Sequence, residues 1–392
     1  MDHQSPHVPV EEEGEEEEEG GVRQPFVIRG EDDDEERMKK KKRRLERQWL
    51  LFCHTNSSLS LLYLEDPFHE KMDIKELKVD TSHFTVEFLC PIGTCNGLLC
   101  LGDKYRDRNP VYILDPINNR FLTIRYSPDP LDSEADKLGF MSGFGYDQVS
   151  GVYKVLRLFG GDWCPLEDTT VCTICTVHPE HGAMGWRFLD PLKDALVVHE
   201  QSGVFFTGKL YFLLIEQDLF AEVLCFDVAK EEFSRIPGPA QLERVDVNLM
   251  HMGLFEGKLV LVFCNSPEGL IRIWSIDDDS SWTVLFDVPF DRTYAGEFYH
   301  IEPLKHMSDG RLLMFNYYRG EILSYNYRVK EPKYDLFLRG LNYCNAFSFT
   351  PNIKFNVTAR GEGMVGFSEV QDEGGKIFSS LLTLHINYCM LY

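Results

Sequence analysis

Four residues of metal-ligand type recur at three-residue spacing in one short stretch: Cys172, Cys175, His178 and His181. Two thiolates and two imidazoles would suit a tetrahedral zinc ion. Cys172 and Cys175, however, lie in TTVCTICTV (169–177), an extended run in which residues three apart point to opposite faces. The gaps also depart from the usual separation between paired zinc ligands. Core thiols beside turn histidines are the better reading. Gly143-Phe144-Gly145 lacks the third glycine and the following helix that a phosphate loop needs. No Gly-x-Ser-x-Gly nucleophile elbow occurs. The pattern therefore specifies no catalytic residue, no cofactor and no metal, and it leaves the substrate-binding residues unassigned.

Two further motifs carry charge. SIDDDSSW (275–282) is similar to the Asp-box turn of sialidase-type propellers, but Asp279 stands where glycine is expected and no other segment repeats it. It reads as a polar hairpin turn. Lys39, Lys40, Lys41, Lys42, Arg43 and Arg44 form a candidate nuclear-import patch; the plainer reading is a solvated basic run opening a helix.

The basic run follows an acidic one. Residues 1–36 hold 15 acids against two arginines, and residues 37–47 hold eight Lys/Arg against Glu46. Like charges at this density repel, with too few apolar residues to offset the entropy of ordering, so residues 1–48 are expected to be disordered. The formal charge is −23 over 392 residues, and residues 48–392 retain most of that negative balance. An acidic body without a basic stripe argues against nucleic acid as a partner. The longest apolar runs, such as 210–215 and 259–264, are far short of the roughly 18 residues of a membrane span. An acidic start without an apolar segment gives no secretory signal. Eleven cysteines, an odd number mostly inside apolar runs, fit reduced thiols in the nucleus and/or cytoplasm.

The residues between 49 and about 355 repeat. A glycine followed by an apolar strand recurs at Gly97, Gly151, Gly208, Gly257 and Gly310, at intervals of 54, 57, 49 and 53 residues. A second landmark keeps register with it: a strand enters a polar turn and leaves through an aromatic, at Phe121, Trp186, Phe233, Trp282 and Tyr334. Units of about 50 residues with several short strands and no helical period predict propeller blades, which bury their apolar faces against one another. With residues 49–77 as a further unit, the expected fold is an all-β propeller of about six four-stranded blades. Residues 342–355 are expected to pair with the first unit and close the ring. Residues 356–392 read as closing strands or a partial blade. Tyr105, Trp163, Phe220 and Tyr318 fall in inter-strand loops, where a rigid scaffold displays binding groups. None of them is assigned as a site.

CNGLLCL (95–101), LDPINNRFLTI (114–124), GFGYDQVSGVYKVLRL (143–158), CFDVAKEEFSRIP (225–237) and IRIWSIDDDSSWTVL (271–285) together resemble the F-box-associated domain of plant F-box proteins. The resemblance implies a kelch-like propeller that receives protein substrates for a cullin–RING ubiquitin ligase, with no chemistry of its own. It also implies an F-box that binds the ligase's Skp-type adaptor. The large apolar residues before Trp49 lack the i, i+3, i+4 spacing of packed helices, so an F-box is not visible in residues 1–48. A stand-alone or sequestering propeller is the alternative reading. A propeller-scaffold hydrolase is a second one.

Overall fold

Strand after strand of this chain is apolar on both faces, and the architecture explains why. The computed structural model describes residues 49–54, 59–63, 73–75, 89–103, 110–115, 120–125, 139–160, 169–193, 202–215, 221–240, 250–265, 268–277, 281–290, 301–307, 310–317, 319–326, 328, 334–338 and 344–349. All of them fall in one compact unit, residues 45–392. The charged arm with Lys39–Arg44, the tail after 355, and Tyr105, Trp163, Phe220 and Tyr318 lie outside the described residues.

Among the described residues the regular structure is strand, without α-helix. Strands β1 (Trp49–His54), β2 (Leu59–Tyr63) and β3 (Asp73–Lys75) begin blade 1. Blade 2 is β4 (Leu89–Cys95), β5 (Leu98–Asp103), β6 (Val111–Asp115) and β7 (Arg120–Ile124). Blade 3 is β8 (Gly139–Asp147), β9 (Val152–Gly160), β10 (Thr169–His178) and β11 (Gly182–Phe188), with the short β12 (Leu192–Lys193). Blade 4 is β13 (Val204–Phe206), β14 (Lys209–Ile215), β15 (Ala221–Asp227) and β16 (Glu232–Pro237). Blade 5 is β17 (Met250–Phe255), β18 (Lys258–Asn265), β19 (Leu270–Ile276) and β20 (Trp282–Pro289). Blade 6 is β21 (Ile301–His306), β22 (Arg311–Asn316), β23 (Glu321–Asn326) and β24 (Tyr334–Leu338).

The last described strand, β25 (Cys344–Phe349), returns to blade 1 and pairs antiparallel with β1, Trp49 opposite Phe349 and His54 opposite Cys344. Blade 1 therefore has the order β25-β1-β2-β3, and it combines both ends of the body. The first strands of successive blades touch in turn: β4 with β8, β8 with β13, β13 with β17, β17 with β21, β21 with β25 and β25 with β4. The ring closes as the 342–355 segment suggested.

The expectation of about six four-stranded blades needs one correction. Five sheets are four-stranded, and the sheet of blade 3 has five strands. The reason is length. Strand β10 overhangs β11 at its start, and Thr169 and Thr170 pair there with Lys193 and Leu192.

Both landmarks take equivalent positions. Gly97, Gly151, Gly208, Gly257 and Gly310 all end the turn between first and second strands, each at positive φ. At Asn96-Gly97, Thr207-Gly208 and Glu256-Gly257 both turn residues are left-handed. That geometry matches the twist of a tight hairpin and requires glycine at its second position. The aromatic landmarks Phe121, Trp186, Phe233, Trp282 and Tyr334 all lie on fourth strands.

The cores sit between blades. On β14, Leu210, Phe212 and Leu214 pack toward blade 3, while Tyr211 and Leu213 pack toward blade 5. On β18, Leu259, Leu261 and Phe263 face blade 4 while Val260, Val262 and Cys264 face blade 6. A sheet covered on both faces reads as an unbroken apolar run. Each such side chain contributes about 1.5–3 kcal/mol on full burial.

Candidate functional site

In an antiparallel blade the first-to-second and third-to-fourth turns emerge at one end, and the second-to-third and fourth-to-first connections at the other. One end of the ring therefore holds the tight first-to-second turns such as 96–97, 207–208 and 256–257. At the opposite end β3, β7, β16 and β20 finish and β4, β8, β17 and β21 begin, each pair separated by ten or more residues of sequence. At that same end β5, β9, β14 and β22 finish and β6, β10, β15 and β23 begin; residues 104–109, 161–168, 216–220 and 317–320 lie between them in the sequence. The four loop aromatics named from sequence fall in these connections. This end is the candidate binding face.

The inner strands that lead to it are fastened closely. Gly203 donates its amide to the Ser142 carbonyl at 2.7 Å, and Gly143 and Gly203 form a parallel bridge. The Ser202 hydroxyl donates to the Pro91 carbonyl at 3.0 Å. Strand β13 thereby touches both β8 and β4. This approach needs glycine: a Cβ on Gly143 would lie 2.8 Å from the Phe212 ring, and one on Gly203 would lie within 2.9 Å of three of its atoms. Further round the ring, His251 on β17 pairs with the Glu302 carboxylate on β21. Burial opposes the charge on His251, but the Glu302 carboxylate outweighs it and holds the imidazole above its usual pKa.

The short-turn end holds a charged cluster across the seam of blades 3 and 4. Lys154 Nζ donates to the Val228 carbonyl at 2.6 Å and meets Asp147 Oδ2 at 3.2 Å and Glu231 Oε1 at 2.9 Å. Arg187 completes it on Glu231. Burial works to raise the Asp147 carboxyl, yet hydrogen bonds from Ser150, Val149 and Lys154 outweigh it and hold the pKa at about 2. Glu231 is likewise depressed, with burial overcome by Arg187 and Lys154. These groups are held to one another, an arrangement that joins blades 3 and 4.

Residues 48–326 match the family described as the F-box associated beta propeller domain. The chain belongs to that family. Curated relatives from Arabidopsis thaliana include an F-box/LRR-repeat protein, 26% identical over 213 residues, which cover 51% of this chain and 47% of that protein. An F-box/kelch-repeat protein is 26% identical over 203 residues, 50% of this chain and 52% of its own length. An F-box protein is 25% identical over 222 residues, 54% of this chain and 67% of its own length. The chain spans about half the length of the first two.

Within this F-box-associated propeller the other motifs find structural places. Cys172 packs toward blade 4 and Cys175 toward blade 2, on opposite faces of β10. Burial pushes their thiols up to about 12 and about 11, with weaker opposing hydrogen bonds. His178 and His181 stack on each other in the β10–β11 turn, 4.5 Å between centroids. The four are not brought together. Gly143-Phe144-Gly145 lies on β8, the inner strand. In 275–282, Ser275 hydrogen-bonds Thr283 at 3.0 Å, and Asp277 and Ser281 close the turn through a 2.9 Å backbone bond.

Sequence reading missed the inter-blade groups. Trp186 Nε1 donates to the Arg125 carbonyl at 2.7 Å, and Trp282 Nε1 donates to the Pro237 carbonyl at 2.7 Å. Each indole thus ties its fourth strand to the end of the preceding blade's fourth strand. Arg157, fully buried, lies over the rings of Trp186 and Phe140 at 5.2 and 5.5 Å. The shared position of the two tryptophans was the available signal. Nothing in the spacing identified Lys154 or Arg157, because both sit inside otherwise apolar strands.

Proposed function

We propose that this chain is a protein-binding propeller of the substrate-recognition kind found in F-box proteins of cullin–RING ligases, and that its partner docks on the end carrying the long connections. The observation that supports this most directly is the family match over residues 48–326, on a body whose topology brings the fourth-to-first and the second-to-third strand ends to one end. A rigid ring of blades fastened at its inner strands is a suitable base for such loops. The chain itself is expected to perform no covalent chemistry; transfer would belong to the ligase.

The composition of residues 1–48 favours a second reading. Adaptor binding needs a desolvated apolar core of standard interface size. These residues offer an acidic block followed by a basic one, whose fields are screened within roughly 10 Å at 0.1 M salt. In this reading residues 1–48 do not supply the contact to a Skp-type adaptor, and the propeller holds its partner without delivering it. Affinity purification with mass spectrometry, with and without residues 1–48, tests both. Co-recovery of cullin–RING subunits with a shared partner supports the receptor reading. Recovery of the same partner without ligase subunits supports sequestration. Loss of all partners on exchanging 104–109 and 161–168 for Gly/Ser is expected under either, and retention would reject the proposed face. We also propose Lys39–Arg44 as a nuclear-import patch; alanines there should move a fluorescent fusion toward the cytoplasm.

A further inference from the structure

The seam between blades 5 and 6 is fastened at both ends of its inner strands by different means. At the short-turn end the His306 amide donates to Glu256 Oε1 at 3.1 Å. Toward the binding face, His251 and Glu302 form an ion pair across β17 and β21. The side chains are 30% and 15% exposed, so water can deliver or remove a proton while the pair stays partly desolvated. Gly253 is part of the arrangement: a Cβ there would lie 2.5 Å from Glu302 Oε1, so the missing side chain makes room for the carboxylate.

We propose that His251 and Glu302 form a proton-operated latch between the inner strands of blades 5 and 6, closed while the imidazole is charged and loosened when it loses its proton. Other ionisable groups on the packed elements stand elsewhere. Lys209 begins β14, Lys258 begins β18 and Arg311 begins β22, all next to short-turn hairpins. Lys305 and His306 end β21 at that same side. Tyr211 on β14 packs with Met250 and Met252, on the other face of β17. Cys264 on β18 hydrogen-bonds the Ile301 backbone, and burial pushes its thiol up to about 12, so it stays neutral. Strand β13 holds no acid or base, and β25 holds only the Cys344 thiol. Glu302 is the carboxylate that meets His251.

Burial alone would lower the His251 pKa, but Glu302 more than reverses this, so the folded value lies above the unfolded value of about 6.5. The stabilisation is complete below about pH 6.5 and is lost as pH rises through the folded pKa. The fastening nearest the binding face thus weakens toward alkaline pH.

The test uses full-length protein, wild type and the variants His251→Gln and Glu302→Gln, at about pH 6 and pH 8. Wild type should lose about 1–3 °C more in Tm across this interval than either variant. Amide exchange, corrected for its intrinsic pH dependence, should show β17 and β21 losing protection relative to β9. An identical pH profile in wild type and His251→Gln would overturn the latch. Should the variants fail to fold, NMR titration of the wild-type His251 ring decides: a midpoint above 6.5 supports the proposal and one at or below 6.5 rejects it.

Discussion

Replacing Glu231 with glycine sets two effects of opposite sign against each other. Glu231 closes the β15–β16 turn, donating its amide to the Asp227 carbonyl at 2.8 Å, and has φ +61°. Left-handed backbone costs a non-glycine residue about 1–2 kcal/mol. Glycine removes that strain but adds about 0.5–1 kcal/mol of unfolded-state entropy, so the backbone gain is at most about 1.5 kcal/mol. Against it stands the ion pair with Lys154 at 2.9 Å, where the lysine side chain is only 6% exposed. Removing one partner of a buried pair costs about 3–5 kcal/mol. Lys154 keeps Asp147 and the Val228 carbonyl, so we take about half of that figure. The half-exposed Arg187 adds less than about 1 kcal/mol. Glu231→Gly should therefore destabilise by about 1–2 kcal/mol, a Tm fall of about 1–3 °C in a body of this size. Urea unfolding of wild type, Glu231→Gly, Lys154→Met and the double variant gives the coupling directly. A coupling below about 0.5 kcal/mol, or a Glu231→Gly protein more stable than wild type, would refute the assignment of this cluster as an inter-blade fastening.

Three further outcomes are expected. Gly203→Ala should cost about 1–3 kcal/mol by overpacking Phe212, and Phe212→Leu in the same chain should recover part of it in thermal unfolding. Because the folded Asp147 pKa of about 2 lies below its unfolded value, its contribution is present above about pH 4 and lost as pH falls through about 2. The stability gap between wild type and Asp147→Asn, measured in urea, should accordingly narrow below pH 4. Trp186→Phe keeps an aromatic face over Arg157 but loses the bond to Arg125, costing about 0.5–1.5 kcal/mol. Trp186→Leu should cost about 2 kcal/mol more by removing the cation–π contact as well, and equal losses in the two variants would dismiss that contact.

Repetition made the ring legible and hid the residues that hold it together. Glycine at the first hairpin and an aromatic on the fourth strand are required once per blade, so they print a period on the sequence. Covering both faces of β14 and β18 prints continuous apolar runs, which is why the number of units could be counted without any helix or strand boundary. The fifth strand of blade 3 left no such mark: Leu192-Lys193 is too short to carry an alternation, and its pairing depends on where β10 happens to end. Lys154 and Arg157 were equally silent. A lysine or arginine in GVYKVLRLF looks like the solvated face of a strand; the neighbouring blade turns the lysine into an ion pair with Glu231, and β8 and β11 of its own blade make the arginine a cation between Trp186 and Phe140. Their partners are 77 and 29 residues away in the chain. A pairing at that distance is fixed by how strands are ordered within a blade and how blades pack, which is the level at which a local pattern stops carrying information.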